Sequence, residues 1–424
     1  MIIKLIKGIF FSLAGLIFYL IIYRLNSVEK FFNLDSHLYY QKYYLIALSF
    51  FFFALTLDRL EKKLAANILL VFFSTSLALY TVEATLAFLK ISKRGEDKRS
   101  IKQVYLDQRK IDPTARIYLP PTSFLNKNND LIPISHKSNS LIIDCNELGY
   151  YSMNKSDRYG FNNSNYIWDQ KINYFFIGDS FIYGQCVFRK DNIVTLTSDL
   201  MKKNILNIAM PGNGFLLNYI SFKEFYEFKK PEKIIWFIND MDYLDIDSEI
   251  KNPIINKYLI DANFKQDLIN KTIQTDLIIE KLFNQRISRY FFQDFLLLNN
   301  TKKFLKYRSL VDYSNDYDEI KIDKNNSKNI LKIFSHVKKQ LGSETELIIA
   351  YYPLKERFLK KSYNNNFKDY TKSLASKFNF KFIDLEIAFQ NIDNPIKMYS
   401  KNFPHNNEIG YKLISEYLAK NINN

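Results

Sequence analysis

From about residue 165 onward, short apolar runs alternate with amphipathic segments, and this alternation constrains the fold more than any other feature. The runs at 172–177 (INYFFI), 204–208 (NILNI), 233–238 (KIIWFI), 345–351 (TELIIAY) and 380–384 (FKFID) read as strands. Helical patterns occupy 189–203, 213–229, 325–341, 365–378 and 407–421. Strands this apolar, separated by helices, imply a parallel sheet covered on both faces. The domain so defined is 165–424. Residues 241–320 are too long for one crossover, rich in charges and aromatics, and helical in pattern, so they read as an insertion. Residues 91–164 carry "LPP" and many Asn and Ser, and read as a partly extended lead-in packed along the α/β domain.

Ahead of these lie three apolar stretches: 2–23 (IIKLIKGIFFSLAGLIFYLIIY), 43–57 (YYLIALSFFFFALTL) and 64–89 (LAANILLVFFSTSLALYTVEATLAFL). They predict a three-helix membrane anchor over 1–90, with two spans as the alternative because the middle segment is near the lower limit for a span. A cleaved signal peptide fits poorly, since no small-residue cleavage site follows the first stretch and further apolar stretches do. Lys4 and Lys7 precede the first span, and Arg59, Lys62 and Lys63 fill the turn between the second and third. Both clusters belong in the cytoplasm by the positive-inside rule, which puts the rest of the chain on the outer side. The basic stretch "KISKRGEDKR" after the third span opposes this, but long domains translocate largely regardless of charge. Glu83, the only acid of the third span, is expected at the outer headgroup level. The net charge of +15 does not indicate nucleic acid, because the lysines are scattered, form no basic block and belong to no nucleic-acid module. The expected partners are therefore the lipid bilayer and a substrate.

The first long strand stops on Gly178-Asp179-Ser180. In an open parallel sheet, ligands bind at the carboxyl ends of the strands. A serine where the strand turns into a helix presents its hydroxyl there, although it also suits a helix cap. A serine nucleophile needs a base. Of four histidines, His37, His136 and His336 lie in unremarkable settings. His405 lies in "NFPHNNEIGYKLI", a loop just before the last helix, which returns to the same rim. Gly212 in "NIAMPGNG" and Asn239 in "WFIND" end the second and third strands, where donors for a developing oxyanion are needed.

These blocks resemble the SGNH (GDSL-type) hydrolases over about 165–421. The resemblance implies a flavodoxin-like three-layer sandwich with a five-stranded parallel sheet. It also implies ester hydrolysis or acyl transfer through an acyl-serine. Matched block by block, Ser180 is the nucleophile and His405 the base, followed by an N-x-x-G-Y stretch from Asn407 to Tyr411. Ser180 N–H, Gly212 N–H and the Asn239 side chain form the oxyanion hole. Two positions depart from the family pattern. Ala209 replaces the first Gly of the second block. Asn402 stands where the family has Asp three residues before the His. Asn402 can accept a hydrogen bond from the imidazole but cannot offset its charge; alternatively, a backbone carbonyl orients a Ser–His dyad, or Asp384 supplies the acid.

A narrower resemblance covers "DCNELGYYSMNKSDRYGFNN" (144–163) and "GQCV". It is to bacterial membrane-anchored SGNH proteins with Cys-Asn-Glu and Ser-Asp-Arg-x-Gly-Phe stretches, and it implies an inner-membrane location with the domain in the periplasm. The two cysteines, Cys145 and Cys186, both fall in these stretches. An oxidising compartment permits one disulfide tying the lead-in to the nucleophile helix; two unpaired thiols packed as small hydrophobes are the alternative. No Cys/His cluster has metal-ligand spacing, and no cofactor is implied. The function expected is a membrane-anchored serine esterase or O-acyltransferase acting on acylated envelope glycans. The alternative, resting on Asn402, is a catalytically silent glycan-binding or scaffold protein.

Overall fold

The structure, a computed structural model, describes residues 2–28, 37, 40–89, 97–127, 129–296, 298–307, 322–359, 364–400 and 404–423. They form two units: 1–92 with 126–128 and 293–305, and 93–125 with 129–292 and 306–424.

The first unit contains α1 (Ile2–Val28), α2 (Gln41–Thr56) and α3 (Lys62–Leu89). Ile6 and Phe10 of α1 are buried with Ala54 and Leu57 at the end of α2 and Ala65 at the start of α3. At the other end of α1, Ile21 is buried with Tyr40, just before α2. So α1 and α2 run antiparallel along a shared length, and Lys4, Lys7, Arg59, Lys62 and Lys63 gather at one end. There Lys7 pairs with Asp58. Ile3–Tyr23 and Lys62–Leu89 are long and apolar enough to cross a membrane. Helix α2 has 16 residues, about 24 Å at ~1.5 Å per residue, short of the ~30 Å hydrocarbon core. The outer surface is apolar, with Leu70 68%, Leu77 71% and Phe88 85% exposed. Glu83 is fully buried. It accepts hydrogen bonds from the backbone N–H and side chain of both Asn300 and Thr301, at 2.7–2.9 Å. It is thus satisfied by protein donors at the start of a later helix.

In the second unit the lead-in holds α4 (Ile101–Ile111) and a small sheet. In that sheet β1 (Arg116–Ile117) pairs parallel with β2 (Leu141–Ile143), which pairs antiparallel with β3 (Met153–Lys155). The main sheet begins at β4 (Tyr174–Ile177), followed by the single helical turn α5 (Ser180–Tyr183) and α6 (Ile193–Met201). Then come β5 (Ile205–Asn207), α7 (Phe215–Lys229) and β6 (Lys233–Ile238). The segment expected as an insertion holds α8 (Asp242–Ile250), α9 (Pro253–Ile260), α10 (Thr272–Leu296) and α11 (Asn299–Tyr307); 308–321 lie outside the described residues. The chain finishes with α12 (Lys324–Gln340), β7 (Glu346–Tyr351), α13 (Glu356–Leu359), α14 (Asn366–Phe378), β8 (Lys381–Asp384) and α15 (Glu408–Asn421).

The strand order is β5-β4-β6-β7-β8, all parallel. Helix α6 packs on α15, whereas α7 packs on α12 and α12 on α14, so the sheet carries two separate helical layers. This is the flavodoxin-like three-layer sandwich, and the expected fold class holds. The order reverses at β4, with β5 on one side and β6 on the other. A crevice at the carboxyl ends of β4, β5 and β6 follows from that reversal.

The lead-in belongs to the same core. Val104, Tyr105, Phe124 and Phe161 are buried in one cluster with Phe175, Phe176 and Ile177. Its Ser-Asp-Arg-x-Gly-Phe stretch is a polar clamp. Asp157 Oδ1 accepts from the backbone N–H of Tyr159 (2.8 Å) and Phe161 (3.0 Å). Its Oδ2 accepts from Asn163 Nδ2 and Trp168 Nε1, both at 2.8 Å. Asn163 also donates to Asn207 O at the end of β5, and Asn162 donates to Tyr183 O at the end of α5. The insertion grips the lead-in from outside: Glu280 pairs with Arg116 and Lys137, and Asp276 accepts from Ser138 N–H. It also caps α7, where buried Glu249 accepts from the N–H groups of Gly214, Leu216 and Leu217 at 2.8–3.3 Å.

Asp157→Asn tests the clamp. An amide would place N–H groups against the Asn163 and Trp168 donors, leaving buried donors unsatisfied at ~1–3 kcal/mol each. The expected loss is about 2–4 kcal/mol in denaturant unfolding of the full-length protein; a change below about 0.5 kcal/mol would mean the clamp is not needed.

Candidate active site

The nucleophile turn follows from local sequence. The apolar run of β4 ends at Ile177, and Asp179 caps the next turn by accepting Phe181 N–H at 3.0 Å. Gly184 closes that turn at φ +79°, where an added Cβ would lie 2.3 Å from Asn192 Cβ. A short helical turn bracketed in this way sets Ser180 at the strand end with its side chain partly exposed.

His405 lies in the loop before α15. Its Nε2 is 2.9 Å from Ser180 Oγ. Its Nδ1 is 2.9 Å from Glu147 Oε2. On either side of it, Ser400 N–H donates to His405 O at 2.8 Å, and the next residue, Asn406, accepts at its side-chain Oδ1 from Tyr352 Oη at 2.6 Å. Phe181 packs its ring 5.1 Å from the imidazole. Hydroxyl, imidazole and carboxylate thus form a continuous relay, in which Nδ1–H donates to the carboxylate and Nε2 faces the hydroxyl.

The carboxylate facing Nδ1 belongs to Glu147, from the lead-in. Glu147 lies in the Cys-Asn-Glu stretch, where nothing in the sequence pattern marks it as a partner of His405. Asn402 lies outside the described residues. Asp384 is engaged elsewhere: it accepts Glu386 N–H at 2.9 Å and lies 3.3 Å from Lys368. The remaining histidines keep other company, His37 with Tyr44, His136 beside Tyr183 and His336 near Tyr219.

Two segments expected to supply donors contact this turn, through Asn239 and through Met210. Asn239 is buried and locked in place: Oδ1 accepts Met241 N–H, the backbone N–H donates to Asp242, and Nδ2 donates to Asp179 Oδ2 at 2.9 Å. One further N–H remains on that nitrogen. The chain after β5 is tied to the turn by Met210 N–H donating to Gly178 O at 3.2 Å. Gly212, two residues on, has φ +78°, a conformation that favours glycine. Pro120 and Thr122 of the lead-in line its other side.

Electrostatics suit a base. Burial lowers the pKa of His405, but Glu147, then Asp179 and Asp144, outweigh it and hold the imidazole above its ordinary value. Burial raises Asp144 and Asp179 to about 6 each. Cys145 and Cys186 are joined as a disulfide, with Cα atoms 5.0 Å apart. Among the described residues, their sulfurs and Glu147 form a group compact enough to hold a metal ion. In the disulfide neither sulfur is a thiolate, the form that ligates metal.

No family model matches the sequence, and no curated protein does. Solved structures similar to the chain include a putative lipolytic protein of the G-D-S-L family from Desulfitobacterium hafniense, at 15% identity over 58% of this chain and 98% of that one, TM-score 0.30. Others are a lipase/acylhydrolase from Enterococcus faecalis (12% identity, 59% and 95% covered, TM-score 0.34) and an acetyl xylan esterase (12%, 59% and 100%, TM-score 0.33). Likeness at this level carries no chemistry by itself, which is read here from the site's own atoms. The strand order, the Gly-Asp-Ser turn and the contact between Ser180 and His405 are the structural counterparts of the blocks on which the sequence resemblance to SGNH (GDSL-type) hydrolases rests.

The base must be neutral to act, so ester hydrolysis should rise with pH through a value above the ordinary ~6.5 of histidine. Glu147→Gln removes the main raising influence. It should move that acidic limb to lower pH and cut kcat roughly 10²- to 10⁴-fold. An unshifted limb with full kcat would remove Glu147 from the relay. Asn402→Ala should retain most of the activity.

Proposed function

We propose that the protein is a membrane-anchored serine hydrolase of SGNH type that cleaves or transfers acyl groups on ester substrates, with acylated envelope glycans as the substrate class. The observation that carries this reading is the unbroken contact chain from Ser180 Oγ through His405 to Glu147, at 2.9 Å for each link. Ser180 Oγ attacks the acyl carbonyl while His405 Nε2 takes its proton. The Glu147 carboxylate stabilises the imidazolium that forms. Ser180 N–H, Gly212 N–H and the remaining Asn239 Nδ2–H hold the oxyanion. His405 then passes the proton to the leaving alcohol, and the acyl group stays on Ser180. Water or a sugar hydroxyl attacks next, giving its proton to His405 and releasing Ser180. Hydrolysis and transfer differ only in that acceptor.

Three features support an outward-facing domain on a bacterial inner membrane. Five cations gather at one end of the anchor, which the positive-inside rule assigns to the cytoplasm. Although short, α2 runs from the Ile21 end of α1 back to its Ile6 end, returning the chain to the starting face, and α3 then crosses again. The disulfide suits an oxidising compartment. The glycan assignment rests on that location. The silent, binding-only reading drew its force from Asn402, and Glu147 removes the need for an acid at that position.

A fluorophosphonate probe tests the reading. It should label the full-length protein in detergent, and Ser180→Ala should abolish labelling while leaving the protein folded. Absence of both labelling and short-chain ester cleavage by folded wild type would instead favour the binding role. For the anchor, alkaline phosphatase fused after residue 90 should be active and a green fluorescent reporter at the same point dark; the reverse pattern would put the domain in the cytoplasm.

A further inference from the structure

We propose that the Cys145–Cys186 disulfide is the positioning element of the relay, fixing the acid Glu147 against the base His405. The proposal rests on the serine hydrolase reading and adds to it a covalent part that the chemistry itself does not use.

Glu147 is two residues from Cys145, and Cys186 is six residues from Ser180. The bond therefore links the acid's loop to the nucleophile's turn directly, across 41 residues of chain. Cys186 Sγ lies 3.8 Å from His405 Nδ1, the atom that also faces Glu147. Cys186 is held at φ +70°, which non-glycine residues seldom adopt. That backbone state lets its side chain turn toward Cys145. Polar contacts also hold the acid's loop: Asn146 Nδ2 donates to Asp97 O at 2.7 Å and Ser152 N–H to Cys145 O at 3.3 Å, both within the lead-in, and Tyr150 Oη donates to Glu408. Asp144 accepts from Gln185 Nε2 at 3.0 Å and from Cys186 N–H at 3.4 Å, and Ser400 Oγ reaches Glu147 Oε2 at 3.4 Å. Elsewhere the α/β core and the Asp157 clamp hold the lead-in without this bond. Breaking it should free the acid while leaving the fold in place. A dithiol reductant does so by giving two electrons and two protons, becoming a cyclic disulfide and leaving thiols at 145 and 186.

The test uses full-length protein in detergent in four forms: oxidised, reduced with dithiothreitol, the double variant Cys145→Ser/Cys186→Ser, and Glu147→Gln as reference. Two readouts are taken: kcat and KM on p-nitrophenyl acetate, and the pH dependence of His405 modification by diethyl pyrocarbonate, followed by peptide mass. Loss of the bond should lower kcat roughly 10- to 100-fold with little change in KM, and shift the His405 titration down toward that of Glu147→Gln. A double variant matching the oxidised protein in kcat and titration would overturn the proposal. So would collapse of the fold on reduction, seen by circular dichroism, because the bond would then be holding the domain rather than the acid. If oxidised wild type cleaves no ester, the hydrolase reading fails. The His405 titration then decides the positioning claim by itself, a downward shift supporting it and no shift overturning it.

Discussion

The hydrogen bond between Glu147 and His405 is the contact on which the site depends. A serine hydroxyl becomes a nucleophile only if the facing imidazole nitrogen carries no proton, so the proton must sit on the other nitrogen. A carboxylate at Nδ1 selects that tautomer and offsets the charge that appears when Nε2 accepts a proton. Such a carboxylate must be kept close and partly dry, yet a buried charge is costly unless it is paired. The Glu147 side chain is 10% exposed and the His405 side chain 12% exposed. Much of the surrounding structure holds these two groups together under those conditions.

The parts that hold them come from all along the domain. The lead-in brings the carboxylate, the first strand of the main sheet brings the hydroxyl, and the loop before the last helix brings the imidazole. The Asp157 clamp fastens the lead-in to the ends of β5 and α5, beside the nucleophile. The insertion grips the lead-in from the far side through Glu280 and Asp276, and its Glu249 caps α7. This gives the part from Glu249 to Glu280 a structural task, whatever else it does. Glu83 shows the same economy in the other unit: an acid in a long apolar helix is satisfied by four donors from Asn300 and Thr301.

The main sheet was legible because buried parallel strands leave uninterrupted apolar runs. The run 233–238 is β6 itself, and the others differ from the observed strands by a residue or two at their ends. Ser180 and His405 were legible because each sits at a predictable place, a strand end and the start of the last helix. Glu147 was not, since its contact spans 258 residues and an acid in a stretch rich in Asn and Ser has no periodicity to mark it. The strands β1, β2 and β3 have two or three residues each, too few for alternation to register. Asn402, which the family's last block singles out, lies outside the described residues, and the carboxylate seen at Nδ1 of His405 comes from the lead-in instead.

Trapping the acyl-enzyme tests the central claim most directly. Oxidised protein mixed with an activated ester is quenched in acid during turnover, digested and weighed. The account predicts the acyl mass on the peptide containing Ser180, and its loss in His405→Ala. Acyl groups carried on another residue, or none on folded and disulfide-bonded protein, would contradict it.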